Sequence, residues 1–172
     1  MPTEPTPAFV PVGVAVLTIS DTRTLADDTS GRVLVDGVVA LGHSLADRAI
    51  VKDDLEVIVA QLQRWIARPD ISVILTTGGT GITRRDVTPE AVEAVIDKAI
   101  PGFGELFRWL SYESVGTSTV QSRALAGLAQ QTLIFALPGS SGACRDAWEG
   151  ILKSQLDSRH RPCNFIQLLP RL

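Results

Sequence analysis

Residues 71–81 read Ile71-Ser72-Val73-Ile74-Leu75-Thr76-Thr77-Gly78-Gly79-Thr80-Gly81. A short apolar, β-branched run that leads directly into three glycines within four residues predicts a strand buried on both faces, followed by a loop of bare backbone. Upstream, Val12 to Ile19 has the same character and ends at Ser20-Asp21. Downstream, Thr132 to Leu137 ends at Pro138-Gly139-Ser140, and Leu45 to Val51 is a weaker strand ending near Lys52-Asp53.

Amphipathic segments separate these strands. Asp28-Thr29-Ser30-Gly31 precedes a stripe of Leu34, Val38 and Leu41 closed by Gly42, which predicts a helix with a glycine cap. Asp53 or Asp54 is placed to cap the next helix, whose Leu55, Ile58, Val59, Leu62 and Ile66 keep helical spacing. Thr88-Pro89-Glu90 reads as a hydroxyl cap, a proline at the first helical position and an acid, opening a helix that carries Val92, Val95 and Ile96 and stops before Pro101-Gly102. Phe103, Leu106, Phe107 and Leu110 mark another helix, and Cys144, Ala147, Trp148 and Ile151 the last. Residues 111–131 carry no clean period and are expected to mix loop and short helix. Residues 1–9 are expected to form a flexible arm, with Pro2, Pro5 and Pro7 denying regular hydrogen bonds, ahead of one domain over 10–172 whose basic end, 157–172, is punctuated by proline. Buried strands alternating with helices predict a single-domain, three-layer α/β/α fold with a mostly parallel sheet.

Composition removes several functions. A chain of 172 residues with 45% hydrophobic and 20% charged residues supports a real core. Sixteen basic against nineteen acidic residues leave a net charge of −3, so binding to nucleic acid through bulk positive charge is not expected. Apolar runs fall far short of the ~20 residues of a membrane-spanning helix, and no basic leader precedes an apolar stretch, so neither a spanning helix nor a signal peptide is expected. Cys144 and Cys163 form no CxxC, and His43 and His160 are isolated, so neither a disulfide framework nor a zinc cluster is expected, and the expected setting is reducing and cytoplasmic. Cys144 sits on an apolar helical face and reads as core, as do Trp65, Trp109 and Trp148, with an interface as the other option for the tryptophans. Any metal here needs oxygen ligands, which favours Mg²⁺.

In a parallel sheet, ligands bind beyond the carboxyl ends of the strands. Gly78-Gly79-Thr80-Gly81 is free to approach an anion and to point N–H groups at it, with Arg84 and Arg85 just beyond. It is neither a P-loop, which needs GxxxxGK[ST], nor a dinucleotide fingerprint, because Arg84 stands where the third glycine belongs. Asp53 and Asp86 lie at two strand exits, and Asp21, Asp27 and Asp28 at a third. Carboxylates converging beside an anion loop suit a Mg²⁺-phosphate site. Asp86 stands two residues before Thr88, too far out to cap that helix. Ser20, Ser122 and Ser140 lack a GxSxG elbow, so serine-hydrolase chemistry has no support. Phosphotransfer through Asp21 is weakened because Arg23 replaces the second acid of an Asp-x-Asp pair.

The runs Val16-Leu17-Thr18-Ile19-Ser20-Asp21, Asp28-Thr29-Ser30-Gly31, and Leu75 through Gly81 to Arg85-Asp86-Val87-Thr88-Pro89-Glu90-Ala91 resemble the molybdopterin adenylyltransferases of molybdenum-cofactor biosynthesis (MogA/MoaB type). Pro101-Gly102-Phe103-Gly104-Glu105, Ser122-Arg123 and Leu137-Pro138-Gly139 continue the likeness in order over about residues 10–165. The length and the ending Arg161-Pro162-Cys163-Asn164-Phe165 are most similar to the short MoaB-type branch, and Ser140-Ser141-Gly142 stands where longer relatives often carry Asn-Pro. The resemblance implies transfer of AMP from Mg-ATP to the terminal phosphate of molybdopterin, with release of pyrophosphate. It makes Asp53 and Asp86 the essential carboxylates for Mg²⁺ and nucleotide. It places Gly78, Gly79, Thr80 and Gly81 in the nucleotide and pterin-phosphate site, and Thr18, Ser20, Asp28, Ser122, Pro138 and Gly139 at pterin- or phosphate-contacting positions. It also implies a homo-oligomer, trimer or hexamer, and contact with other proteins of the pathway. A non-catalytic molybdopterin carrier using the same pocket is the alternative.

Overall fold

In the computed structural model, which describes residues 7–172, six strands form one sheet in the order β2-β1-β3-β6-β5-β4. These are β1 (Gly13–Ile19), β2 (Ser44–Val51), β3 (Val73–Thr77), β4 (Lys98–Ala99), β5 (Leu125–Ala129) and β6 (Thr132–Leu137). The first four in spatial order run parallel, and β5 and β4 add an antiparallel edge. The helices are α1 (Thr29–Leu41), α2 (Leu55–Ile66), α3 (Thr88–Glu93), α4 (Pro101–Val115) and α5 (Ser141–Ala147). A π-turn over Trp148–Leu152 continues α5 into α6 (Lys153–Gln155), and α7 (Phe165–Leu168) follows.

Strand alternation sorts the core onto two faces. Val14, Val16, Leu75, Phe135 and Leu137 face a cluster with Leu34, Val38, Phe103, Phe107, Cys144 and Trp148, so α1, α4 and α5 cover one side. Ala15, Leu17, Ile74, Ile134 and Ala136 face Ile58, Leu62, Trp65, Ala91 and Val92, so α2 and α3 cover the other. Every residue of β3 is buried, as its apolar run requires. The expected three-layer α/β/α architecture is what the chain adopts.

Two strands were not expected. β4 is two exposed residues and β5 is Leu-Ala-Gly-Leu-Ala, a composition with little strand preference. The helix opened by Thr88-Pro89-Glu90 ends at Glu93, short of Val95 and Ile96. Thr88 is not its cap: it is the first helical residue, and its hydroxyl donates to Gly78 O at 2.8 Å instead. Of the two acids before α2, Asp54 is the cap, accepting from Val57 N at 3.1 Å, which frees Asp53 for another role. Trp65 and Trp148 are core, whereas Trp109 faces outward on α4.

Of the expected arm, residues 1–6 lie outside the described residues. Ala8 O accepts from Ser158 Oγ, and the Phe9 ring packs on His43 and under Arg159. His43 ties this segment to the rest: Val12 N donates to its Nδ1 at 3.1 Å, and its Nε2 meets Leu156 O at 2.9 Å. A neutral ring protonated at Nε2 satisfies both, and burial lowers the His43 pKa below 6.5. The folded state therefore binds this proton less readily than the unfolded chain. The stability His43 supplies is full above pH 6.5 and lost as pH falls below it. Urea midpoints measured from about pH 7 down to about pH 5.5 should fall in the wild-type protein and fall less steeply in His43→Asn.

Candidate functional site

The spatial order of the strands reverses between β1 and β3, and in such sheets the ligand crevice opens outside the carboxyl ends at the reversal. A cleft of about 640 Å³ lies there. Its floor is Ile19-Ser20 from β1, Thr77 to Gly81 from β3 and Pro138-Gly139-Ser140 from β6. Asp53, beyond β2, and Asp86, from the loop before α3, stand on the same cleft. Acids remote in sequence thus meet over a bare backbone loop.

Why that loop is glycine follows from its neighbours. Gly79 has φ +67°, and a Cβ there would lie 2.4 Å from Thr88 Oγ1 and 3.1 Å from Asp53 Oδ1. A Cβ on Gly81 would lie 2.8 Å from Asp86 Oδ2. A side chain at Gly79 would strike the Thr88 hydroxyl and crowd Asp53, and one at Gly81 would press on the Asp86 carboxylate.

Both bonds from Thr83, N–H at 2.8 Å and O–H at 2.6 Å, land on Asp86 Oδ2, so this acid also closes its own turn. Burial pushes the Asp86 carboxyl up, but the Thr83 bonds, the Gly81 N–H and Arg123 outweigh it and hold the pKa below 3.8. Asp53 behaves oppositely. Burial and then the negative charge of Asp21, with Asp86 adding to them, raise its pKa above 3.8 in spite of Arg85. Asp21 accepts from Asp53 N at 3.3 Å and pairs with Arg85 at 2.5 Å, so Arg85 lies against an acid rather than over the glycine loop. Arg84 is exposed.

Ser20, Gly78, Gly79, Thr80, Gly81, Ser122, Pro138 and Gly139 all line the cleft with Asp53 and Asp86. Thr18 and Asp28 do not. They are buried beneath it, where Thr18 Oγ1 donates to Asp28 Oδ2 at 2.7 Å and Asp28 caps α1 by accepting from Gly31 N. Sequence reasoning missed the opposite wall, Phe107, Ser111 and Val115 from α4 and Ser118, Thr119 and Gln121 from the 3₁₀ helix Gly116–Gln121. It also missed Arg23, which lines the cleft and donates to Ser30 Oγ. The polar run Gly116-Thr117-Ser118-Thr119 was the one available signal. Cys144 is core as expected, its thiol donating to Thr77 Oγ1 and its pKa pushed up to about 11 by burial. Among the described residues, no group of three or more His, Cys, Asp or Glu is arranged to hold a metal, and no helix is long and apolar enough to cross a membrane.

Fold and cleft define an α/β protein wound on both faces of its sheet, with a ligand crevice of bare backbone at the strand reversal. Comparison with known proteins narrows the class. Residues 15–158 match the family described as a probable molybdopterin binding domain. The chain is 54% identical over 157 residues to Molybdenum cofactor biosynthesis protein B of Escherichia coli K12, covering 91% of this chain and 92% of the relative. It is 48% identical over 151 residues to the protein of the same name from Staphylococcus epidermidis, covering 85% of each. A crystal structure of Molybdenum cofactor biosynthesis protein B superposes with TM-score 0.85 at 46% identity, covering 87% of this chain and 94% of that one. A MogA structure superposes with TM-score 0.74 at 32% identity, covering 81% and 92%. The chain belongs to the molybdopterin-binding-domain family, in its MoaB/MogA group.

Proposed function

We propose that this chain acts in molybdenum-cofactor biosynthesis, in the cytoplasm, by transferring AMP from Mg-ATP to the terminal phosphate of molybdopterin. The observation that carries the reading is Asp53 and Asp86 on one cleft with the bare Gly78–Gly81 loop. The names of the relatives, Molybdenum cofactor biosynthesis protein B, support the pathway.

In the proposed reaction a terminal phosphate oxygen of molybdopterin bonds to the α-phosphorus of ATP. The bond from that phosphorus to the β-phosphate oxygen breaks, and pyrophosphate leaves. Neither a protein nucleophile nor a redox partner is needed, so the chain's task is positioning and charge control. Gly78 N–H is already given to Leu137 O and Gly81 N–H to Asp86, so the backbone N–H groups of Gly79 and Thr80 would hold phosphate oxygens, and Ser20, Ser122 and the Pro138-Gly139 turn would bound the space left for the pterin. Asp53 and Asp86 would hold Mg²⁺. Two carboxylates are a fitting set for an ion that takes its remaining ligands from phosphate and water, and Asp53, crowded by Asp21 and Asp86, is an acid that a cation would relieve. When bound, the ion neutralises charge on the phosphates.

The reading includes a homo-oligomer, trimer or hexamer, supported by the exposed Leu106, Trp109, Tyr112 and Val115 of α4, and contact with other proteins of the pathway. Incubating the pure protein with molybdopterin and Mg-ATP should yield adenylylated pterin and stoichiometric pyrophosphate. Pterin retained with no ATP-dependent product would make the chain a carrier instead.

A further inference from the structure

The loop from Thr80 to Val87 carries Asp86 but has little regular structure of its own before α3, and Ile82, Thr83, Arg84 and Arg85 are all exposed. Two side chains from elsewhere in the fold hold it: Asp21, paired with Arg85, and Arg123, which makes the larger number of bonds. Arg123 Nε donates to Gly81 O at 2.7 Å, Nη2 to Asp86 O at 2.7 Å and Nη1 to Glu90 Oε1 at 2.5 Å. Its own backbone N–H donates to Thr80 O at 2.9 Å. Three nitrogens of one planar group thus meet two carbonyls of the loop and a carboxylate on α3, and a fourth bond anchors the arginine's backbone to the loop's start.

We infer that Arg123 is the positioning residue that sets Asp86 on the cleft, an inference that rests on the function proposed above. The geometry is specific to arginine. Gly81 O and Asp86 O are the two ends of the exposed bend, and bonding both to one rigid guanidinium fixes the chord between them. Asp86 braces the bend from inside through Thr83, while Arg123 braces it from outside. A lysine ammonium is a point donor on a flexible stem and cannot reproduce three divergent bonds from one plane. The anchor is firm because the next residue, Ala124, is buried just before β5, and Ser122 before it lies on the cleft wall. Arg123 itself is absent from the cleft lining, so its effect reaches the reaction through Asp86.

The test compares wild type, Arg123→Ala and Arg123→Lys as full chains. Amide hydrogen exchange of residues 81–87 should quicken by about tenfold or more in both variants while the exchange of β1, β3 and β6 stays at wild-type rates. In the adenylylation assay kcat should fall by about 10²-fold in both, with KM for ATP changed far less, because misplacement by about an ångström costs that much. Guanidinium ion at tens of millimolar should restore a large part of the lost kcat and of the loop's protection in Arg123→Ala, a response that a merely structural defect would not give. Unchanged exchange in the loop, or a lysine variant with wild-type kcat, overturns the inference. Should the wild type itself prove inactive, the proposed function fails while the exchange and rescue of the loop still decide whether Arg123 holds Asp86. Should Arg123→Ala not fold, the lysine variant carries the same comparison.

Discussion

Asp53→Asn should lower the proposed adenylyl transfer by about 10³-fold or more and leave the metal-free protein at least as heat-stable as wild type. The two halves of this result have one cause. Asp53 is half-buried next to Asp21 and Asp86, and both burial and those charges raise its pKa. An acid whose folded pKa is raised holds its proton more tightly in the folded than in the unfolded state. Ionised Asp53 therefore opposes folding at neutral pH, and the opposition fades as pH falls through the raised value towards 3.8. Asparagine keeps the shape and removes the charge, so the penalty goes along with the ligand for the cation. Melting curves at pH 7 without Mg²⁺ should show Tm at or above the wild-type value. Adding Mg-ATP should raise the wild-type Tm and leave that of the variant unmoved. A variant that turns over normally, or that melts several degrees early, contradicts the role given to Asp53.

Asp28→Ala should give the opposite pattern, a stability loss of about 3–5 kcal/mol. Asp28 is fully buried, and its carboxylate accepts from Gly31 N at 2.9 Å, Thr18 Oγ1 at 2.7 Å and Arg48 Nη2 at 2.9 Å, with Arg23 at 3.9 Å. Burial alone would raise its pKa, but Arg48, Thr18 and the Gly31 N–H together bring it below 3.8. Its contribution is thus present above pH 3.8 and lost as pH falls through the lower folded value. Truncation removes the α1 cap and strands Arg48 without its partner, which should lower Tm by about 10 °C or more in a chain of this size. Asp28→Asn, which keeps the cap and loses the charge, should fall between. A Tm within about 2 °C of wild type for the alanine variant would show that the network carries no net stability. Asp28 is thus expected to fail as a fold and Asp53 as an enzyme.

That contrast shows where sequence reading succeeds and where it stops. The central strands were legible because β1, β3 and β6 must be apolar on both faces, a pattern no solvent-facing segment imitates. β5 was not, because Gly127 gives up strand preference to admit Ile96, whose Cδ1 would lie 2.6 Å from a Cβ there. Asp53 and Asp54 are adjacent and chemically alike; only the direction of α2 decides which one caps and which one faces the cleft. Asp28 carries the same sequence signature as a contacting residue and as a buried cap, and the cap is what its surroundings make of it. The floor of the cleft could be read from glycines at strand exits. Its far wall could not, since Ser118, Thr119 and Gln121 are brought there by the turn of a short 3₁₀ helix whose sequence shows no period.

The crowding of Gly79 and Gly81 against the two acids also bears on how this cleft can be altered. Variation there is costly, because the first added carbon meets the Thr88 hydroxyl and crowds Asp53 at Gly79, where φ is also positive, and displaces the Asp86 carboxylate at Gly81. On the 3₁₀ wall Thr119 is buried with its hydroxyl bonded to Arg108 O, but Ser118 and Gln121 are exposed, so selection in the laboratory for a changed ligand should accumulate its substitutions at those two positions and leave the glycine floor untouched.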